Sequence, residues 1–210
     1  MNVKSFGFIL LLIGLAFLPN LSHAALFGTT EFKVSNTQSL PRWESLLERY
    51  SKQKGSLTAC ATNYQSCTTP ALRDWYNMLS KARGQSVKDQ LNTVNRFANK
   101  WPYKTDWQAW GQSDYWATPL EFMDRSGDCE DYSFLKYVTL QLLGYHTDQL
   151  RLVIVQDTIR NLAHAVLAVY VEGDIIIMDS LFDRPLSHMR VLQYSPYYSV
   201  NENARWAHVA

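Results

Sequence analysis

Around Gly144 the spacing of apolar residues changes from about 3.6 to about 2, and few folds are compatible with that order. Upstream, apolar side chains recur at helical spacing in three stretches: Trp43, Leu46, Leu47 and Tyr50 within Leu40–Tyr50; Leu72, Trp75, Tyr76 and Leu79 within Ala71–Arg83; and Val87, Leu91, Val94 and Phe97 after Ser86. Pro41 and Pro70 suit first helical turns and Ser86 suits an N-cap. A further helix runs from Asp128 through Tyr132, Leu135, Val138 and Leu142 to a C-terminal cap at Gly144. Downstream, Leu150–Gln156, Ala163–Val171 and Asp174–Met178 are strand-like, with Glu172-Gly173 as a tight turn between the last two. Helices first and antiparallel strands afterwards predict an α+β fold, with the central helix packed across the sheet.

The first 24 residues read as an export signal: Lys4, an apolar run from Phe6 to Leu18, the breaker Pro19, and Ser22-His23-Ala24 as a small-x-small cleavage site. A mature chain beginning near Ala25 implies a periplasmic protein, the alternative being a retained N-terminal anchor. Residues 25–210 suit one domain, with no repeat or Pro/Gly-rich linker at which a second would start. The formal charge is +1 and falls to about 0 without Lys4, which gives no basis for a nucleic-acid or polybasic membrane surface. Cys60 and Cys67 bracket the polar loop "ATNYQS" and predict a disulfide in an oxidising compartment, two free thiols being the alternative. Cys129 is then the odd cysteine.

Cys129 falls in the first turn of its helix, where unpaired amides and the macrodipole favour a thiolate, although an inert packed thiol is the commoner use of cysteine. A nucleophile needs a base, usually histidine, and a group to orient that base. His23 leaves with the signal, His146 and His188 stand in polar, loop-like surroundings, and His208 is near the end of the chain, so His164, inside a strand, is the candidate. With Glu172-Gly173 as the turn, Val171 opposes Asp174 and Val166 opposes Asp179, which makes His164 and Asp179 diagonal neighbours on one face. Acidic Asp128, Glu130 and Asp131 should raise the thiol pKa. They suit either capping of the helix N-terminus or a hard cation such as Ca²⁺, with no EF-hand loop present and no soft partner ligands for zinc. "WPYKTDWQAWGQSDYW", Trp101 to Trp116, is either ordinary core or the wall of a cleft that binds an extended chain.

"DYWATPLEFM", "GDCEDYSFLKY", "LRLVIV", "AHAVLAVY" and "MDSL" together resemble the bacterial transglutaminase-like cysteine proteinases, and among them the LapG-like periplasmic group. The resemblance covers most of the mature chain and implies a transglutaminase-like, papain-type core with Cys129 as nucleophile, His164 as base and Asp179 orienting it. It also implies Ca²⁺ bound by Asp128 and Glu130, with Asp131 as a further candidate. The implied substrate is an Ala-Ala segment near the N-terminus of a LapA-like adhesin. The implied regulator is the periplasmic domain of a LapD-like cyclic-di-GMP receptor, so that cleavage promotes biofilm dispersal. The Cys60/Cys67 loop departs from the family pattern. A transglutaminase or cell-wall peptidase on the same core, an inactive Ca²⁺-dependent binding domain and a redox thiol protein are the competing readings.

Overall fold

The computed structural model describes residues 25–37 and 39–209, so the expected export signal lies outside the described residues. The elements run β1 (Thr30–Val34), α1 (Pro41–Thr62), α2 (Pro70–Ala82), α3 (Val87–Ala98), α4 (Asp106–Trp110), α5 (Pro119–Arg125), α6 (Cys129–Leu142), β2 (Leu150–Asp157), β3 (Leu162–Val171), β4 (Asp174–Met178), β5 (Leu186–Ser187), β6 (Tyr194–Val200) and β7 (Arg205–Val209). The helix starts follow from local chemistry. Proline occupies the first turn of α1, α2 and α5, and the hydroxyls of Thr69 and Ser86 accept the amides of Leu72 and Asp89. Thr118 and Glu121 cap α5 reciprocally, hydroxyl to amide and amide to carboxylate. Helix α1 continues to Thr62, past the expected end at Tyr50, because Leu57, Cys60 and Ala61 resume the buried stripe after a polar turn. Cys60 and Cys67 are joined by a disulfide, which closes the turn between α1 and α2 as expected.

All seven strands form one sheet in the order β1-β7-β6-β2-β3-β4-β5, with every pairing antiparallel. The three strands read from the sequence, β2, β3 and β4, are adjacent in it. The outer ones escaped notice for a reason visible in β6, whose Pro196 argues against a strand. Pro196 sits where the β2–β6 register shifts between Ile154 and Val155, and such an irregularity is one of the few places a sheet accepts proline.

The sheet separates two hydrophobic clusters. On one face Leu152, Ala165, Leu167, Val169 and Met178 pack with α6 and the helices around it, including Trp43, Trp75 and Phe134. On the other, Val153, Val155, Val166, Ala168 and Ile177 are covered by Leu26, Val191 and Tyr194. Helix α6 is buried along its whole length from Asp131 to Leu140, because it lies between the sheet and the other helices. That central position holds the start of α6 against the sheet with little freedom to shift.

Candidate active site

Gly127 sets the start of α6. A Cβ there would stand 1.9 Å from Oδ2 of Asp131, so only glycine allows that carboxylate to fold back over the chain. Asp131 accepts the amides of Asp128, at 3.2 Å, and Ala117, at 2.6 Å, which caps the helix and ties it to the segment before α5. The same stretch is braced from outside, where Tyr103 and Gly127 form an isolated bridge and the Lys104 amide donates to the Gly127 carbonyl at 2.9 Å. Cys129 therefore opens a firmly positioned helix. Ser133, one turn on, donates to the carbonyls of Cys129 and Ala165, at 2.8 and 3.3 Å. Ala165 directly follows His164, and its amide stabilises the thiolate form of Cys129. Burial nevertheless pushes the thiol up, and the charges of Glu130 and Asp128 push it further. Sγ donates to Oε2 of Glu130 at 3.2 Å, and among the described residues no hydrogen bond joins it to His164.

The hairpin β3–β4 has the expected register. Glu172 and Gly173 adopt φ of 52° and 79°, which is why the second is glycine, and Val171 pairs with Asp174. His164 and Asp179 consequently meet: Nε2 lies 2.8 Å from Oδ1, both groups buried. Oδ1 also accepts the Leu181 amide at 2.9 Å, Oδ2 accepts the Tyr194 hydroxyl at 2.5 Å, and the Asp179 carbonyl accepts Nδ2 of Asn99 at 3.0 Å. Burial alone would raise the Asp179 carboxyl. The hydrogen bond and charge of His164, with the Tyr194 and Leu181 bonds, outweigh that and hold it below the usual range. With Nε2 committed to Asp179, Nδ1 is the ring nitrogen left for proton chemistry.

The acids around Cys129 form a second cluster that includes a residue the sequence did not reveal. Ligand atoms of Asp128, Cys129 and Glu130 lie within 4.8 Å of one another, and so do those of Asp106, Asp128 and Asp131. Asp106 comes from the first turn of α4, twenty-two residues before Asp128, and no local pattern links the two. Burial pushes the carboxyls of Asp106, Asp128, Glu130 and Asp131 upward, and in Asp128 the charge of Glu130 adds to it. Oδ1 of Asp106 and Oδ1 of Asp128 are buried and, among the described residues, have no hydrogen-bond partner. Two orphaned carboxylate oxygens, one of them on Asp128 where Glu130 also lies close, fit a hard, oxygen-seeking divalent cation.

The aromatic stretch Trp101–Trp116 is part core and part exposed. Trp116 is core, whereas Trp107 is 68% exposed and Tyr103 is half exposed. Tyr103 and Tyr132 stack, and with Asn99, Trp101, Arg160 and Leu181 they line a cavity of about 250 Å³ next to the Asp179 turn. The phenol of Tyr103 is electrostatically coupled to Cys129. His188 is buried rather than in a polar loop, where its Nδ1 accepts the Phe27 amide, and His208 is bonded to Thr29 and Ser199.

The family of bacterial transglutaminase-like cysteine proteinases matches residues 48–210. Among solved structures, LapG of Legionella pneumophila is 34% identical with a TM-score of 0.62, covering 72% of this chain and 87% of that one. Its calcium-bound form is 36% identical, with a TM-score of 0.62 and coverage of 72% and 85%. The EGTA-treated form is 35% identical, with a TM-score of 0.63 and coverage of 73% and 84%. Comparison with curated proteins finds no match. A family match over most of the chain and a shared fold at this identity lead to one conclusion: the chain belongs to the bacterial transglutaminase-like cysteine proteinases.

Proposed function

We propose that the chain is a calcium-dependent periplasmic endopeptidase that cuts an Ala-Ala segment near the N-terminus of a LapA-like adhesin. The release of the adhesin would promote biofilm dispersal, and a LapD-like cyclic-di-GMP receptor would control it by sequestering the protease. The observation that carries the reading is the buried His164–Asp179 pair at the strand segment against which Cys129 opens α6. The calcium-bound form of the similar Legionella protein supports the choice of cation.

In this mechanism Cys129 is the nucleophile, His164 takes the thiol proton on Nδ1, and Asp179 orients the ring and stabilises the imidazolium. The Cys129 amide, at the open end of α6, would hold the oxyanion as sulfur attacks the alanyl carbonyl. The proton then passes from His164 to the leaving amine, and water releases the acyl group. Asp128 and Glu130 would hold calcium together with Asp106, while Asp131, with both oxygens taken by amides, braces the loop and closes the group. Bound there, the ion would neutralise the carboxylates that suppress the thiolate. Sγ must leave Glu130 before it can bond His164.

The test is to incubate the mature protein and its Cys129→Ala variant with the N-terminal region of a candidate adhesin, with and without chelator. Wild type should cut once at Ala-Ala and stop when calcium is removed. Cleavage by the Cys129→Ala protein would overturn the nucleophile, and cleavage in excess chelator would overturn the metal requirement.

A further inference from the structure

A groove of about 880 Å³ lies between α3 and the β3–β4 hairpin, outside the groups that the mechanism uses. Its floor is apolar, with Val87 and Leu91 from α3 facing Val171, Ile176 and Leu186 from the sheet. All of these but Leu91 are only half buried. Five cations stand around that floor: Lys81 at the end of α2, Lys88 and Arg96 on α3, and Arg184 and Arg190 on either side of β5. All five are exposed, and among the described residues none of them makes an ion pair. Three acids share the lining, and two are already engaged. Asp89 accepts the Ser86 hydroxyl at 2.8 Å, and Asp174 accepts the Ser187 hydroxyl at 3.0 Å and the Ile175 amide at 2.7 Å. The third, Glu172, is exposed at the hairpin turn.

Unpaired like charges around a half-buried apolar floor repel one another, and nothing in the fold requires them there. Protection of a sheet edge explains Arg184 and Pro185 beside the short edge strand β5, but not the three cations that face them from the helices. An anion that fills the groove must spread its charge, because Lys88 and Arg96 are eight residues apart on α3, roughly 12 Å along its axis. That separation is too great for one phosphate, and Ser86 and Asp89 already cap the N-terminus of α3. A membrane surface is planar, so the walls would hold its headgroups off the floor. An extended chain of alternating acidic and apolar residues meets both demands. Its apolar side chains reach the floor while its carboxylates reach the walls, where arginine offers paired N–H groups. About four extended residues span those 12 Å.

We propose that this groove docks an acidic, extended segment of the protein substrate, held to one side of the bond that is cut. The inference rests on the proposed peptidase function and adds to it a second contact with the same substrate chain. What ties the groove to that chain is its continuity with the catalytic turn. Arg96 lies one helical turn before Asn99, which donates to the Asp179 carbonyl at 3.0 Å. On the opposite wall Arg184 follows Asp179 in the same loop, and Asn95 and Asn99 fasten that loop to α3 through the Phe182 carbonyl at 2.8 and 3.1 Å. A substrate held at Cys129 and in the groove binds the second contact intramolecularly, which lowers KM without any new group at the scissile bond.

The experiment has a binding arm and a cleavage arm, both with the calcium-loaded mature protein. In the first, a fluorescent peptide of alternating glutamate and leucine is titrated by anisotropy against its glutamine-leucine counterpart. The glutamate peptide should bind at least about tenfold tighter, and the advantage should vanish in about 1 M salt, where the screening length is ~3 Å. An Arg96→Glu/Arg184→Glu double variant, with both changes at exposed positions and its fold checked by a thermal melt, should lose that advantage, whereas Arg73→Glu, exposed on α2 outside the groove, should keep it. Equal binding of the two peptides, or full binding by the double variant, would overturn the proposal. So would binding to phosphatidylglycerol vesicles that the double variant loses, which would assign the groove to a membrane. In the second arm each peptide is joined by a flexible linker to an Ala-Ala segment, before it or after it. One placement should show a KM about tenfold lower for the glutamate form, with kcat little changed. Equal KM values in both placements would rule out the substrate as the occupant. Failure of wild type to cut any of these peptides would count against the proposed function, and the binding arm would still decide whether the groove takes an acidic chain.

Discussion

Asparagine at position 179 removes a charge and almost nothing else. In the structure Oδ1 of Asp179 accepts His164 at 2.8 Å and the Leu181 amide at 2.9 Å, while Oδ2 accepts the Tyr194 hydroxyl at 2.5 Å. Asparagine is the same size and can keep its oxygen toward His164 and Leu181, and Tyr194 then reverses its hydroxyl to accept from the new amide. Exchanging a charge-assisted hydrogen bond for a neutral one costs about 1.5 kcal/mol. Losing a full carboxylate roughly 4 Å from an imidazolium centre costs about 4 kcal/mol at an effective dielectric near 20. Those limits put the fall in kcat/KM of Asp179→Asn on the order of 10- to 1000-fold. The fall should reside in kcat, since Asp179 is fully buried behind His164. The assay is cleavage of an adhesin fragment at neutral pH with saturating calcium, alongside a thermal melt that shows the variant folded. A folded Asp179→Asn enzyme within about threefold of wild type, beside an inactive Cys129→Ala, would refute the role of Asp179.

The remaining predictions concern stability and the acid cluster. The Asp179 carboxyl is held below its unfolded value, so its stabilisation is present above about pH 4 and lost as pH falls through the lower folded value; melts at acid pH should show a loss in wild type that Asp179→Asn lacks. Asp106→Asn should weaken calcium binding on the order of tenfold or more by calorimetry, whereas Asp124→Asn, at an exposed position on α5, should leave it unchanged. Gly127→Ala forces a methyl into Asp131, so it should lower both melting temperature and activity far more than the usual small cost of a Gly→Ala change. Converting both Cys60 and Cys67 to Ser should cost about 2 kcal/mol in denaturant unfolding, the entropy of a loop with a sequence separation of 7, and leave kcat unchanged.

The central hairpin was legible because its turn permits one register, and that register carries His164 to Asp179. Helix α6 was legible because its acids, glycine and apolar residues all describe a helix start. Strands β1, β6 and β7 were not, since β1 and β7 are short and largely exposed and β6 is interrupted by a proline that only the register shift opposite β2 accommodates. Asp106, Tyr194 and Asn99 were equally hidden. Each reaches the site from an element remote in sequence, and nothing in its own neighbourhood marks it.

The sequence by itself determined the α+β order, the pairing of Cys60 with Cys67, the nucleophile candidate at a helix start and the meeting of His164 with Asp179. These depend on periods, caps and turns, which are local properties of the chain. Tertiary structure alone decided that Asp106 completes the acid cluster, that Tyr194 and Asn99 hold Asp179, and that Sγ rests on Glu130 instead of His164. It also decided that Lys136, which reads as an ordinary helix former, is buried with no hydrogen-bond partner among the described residues. Burial and charge environment are set by what packs on every side of a residue, and no window along the chain contains that information.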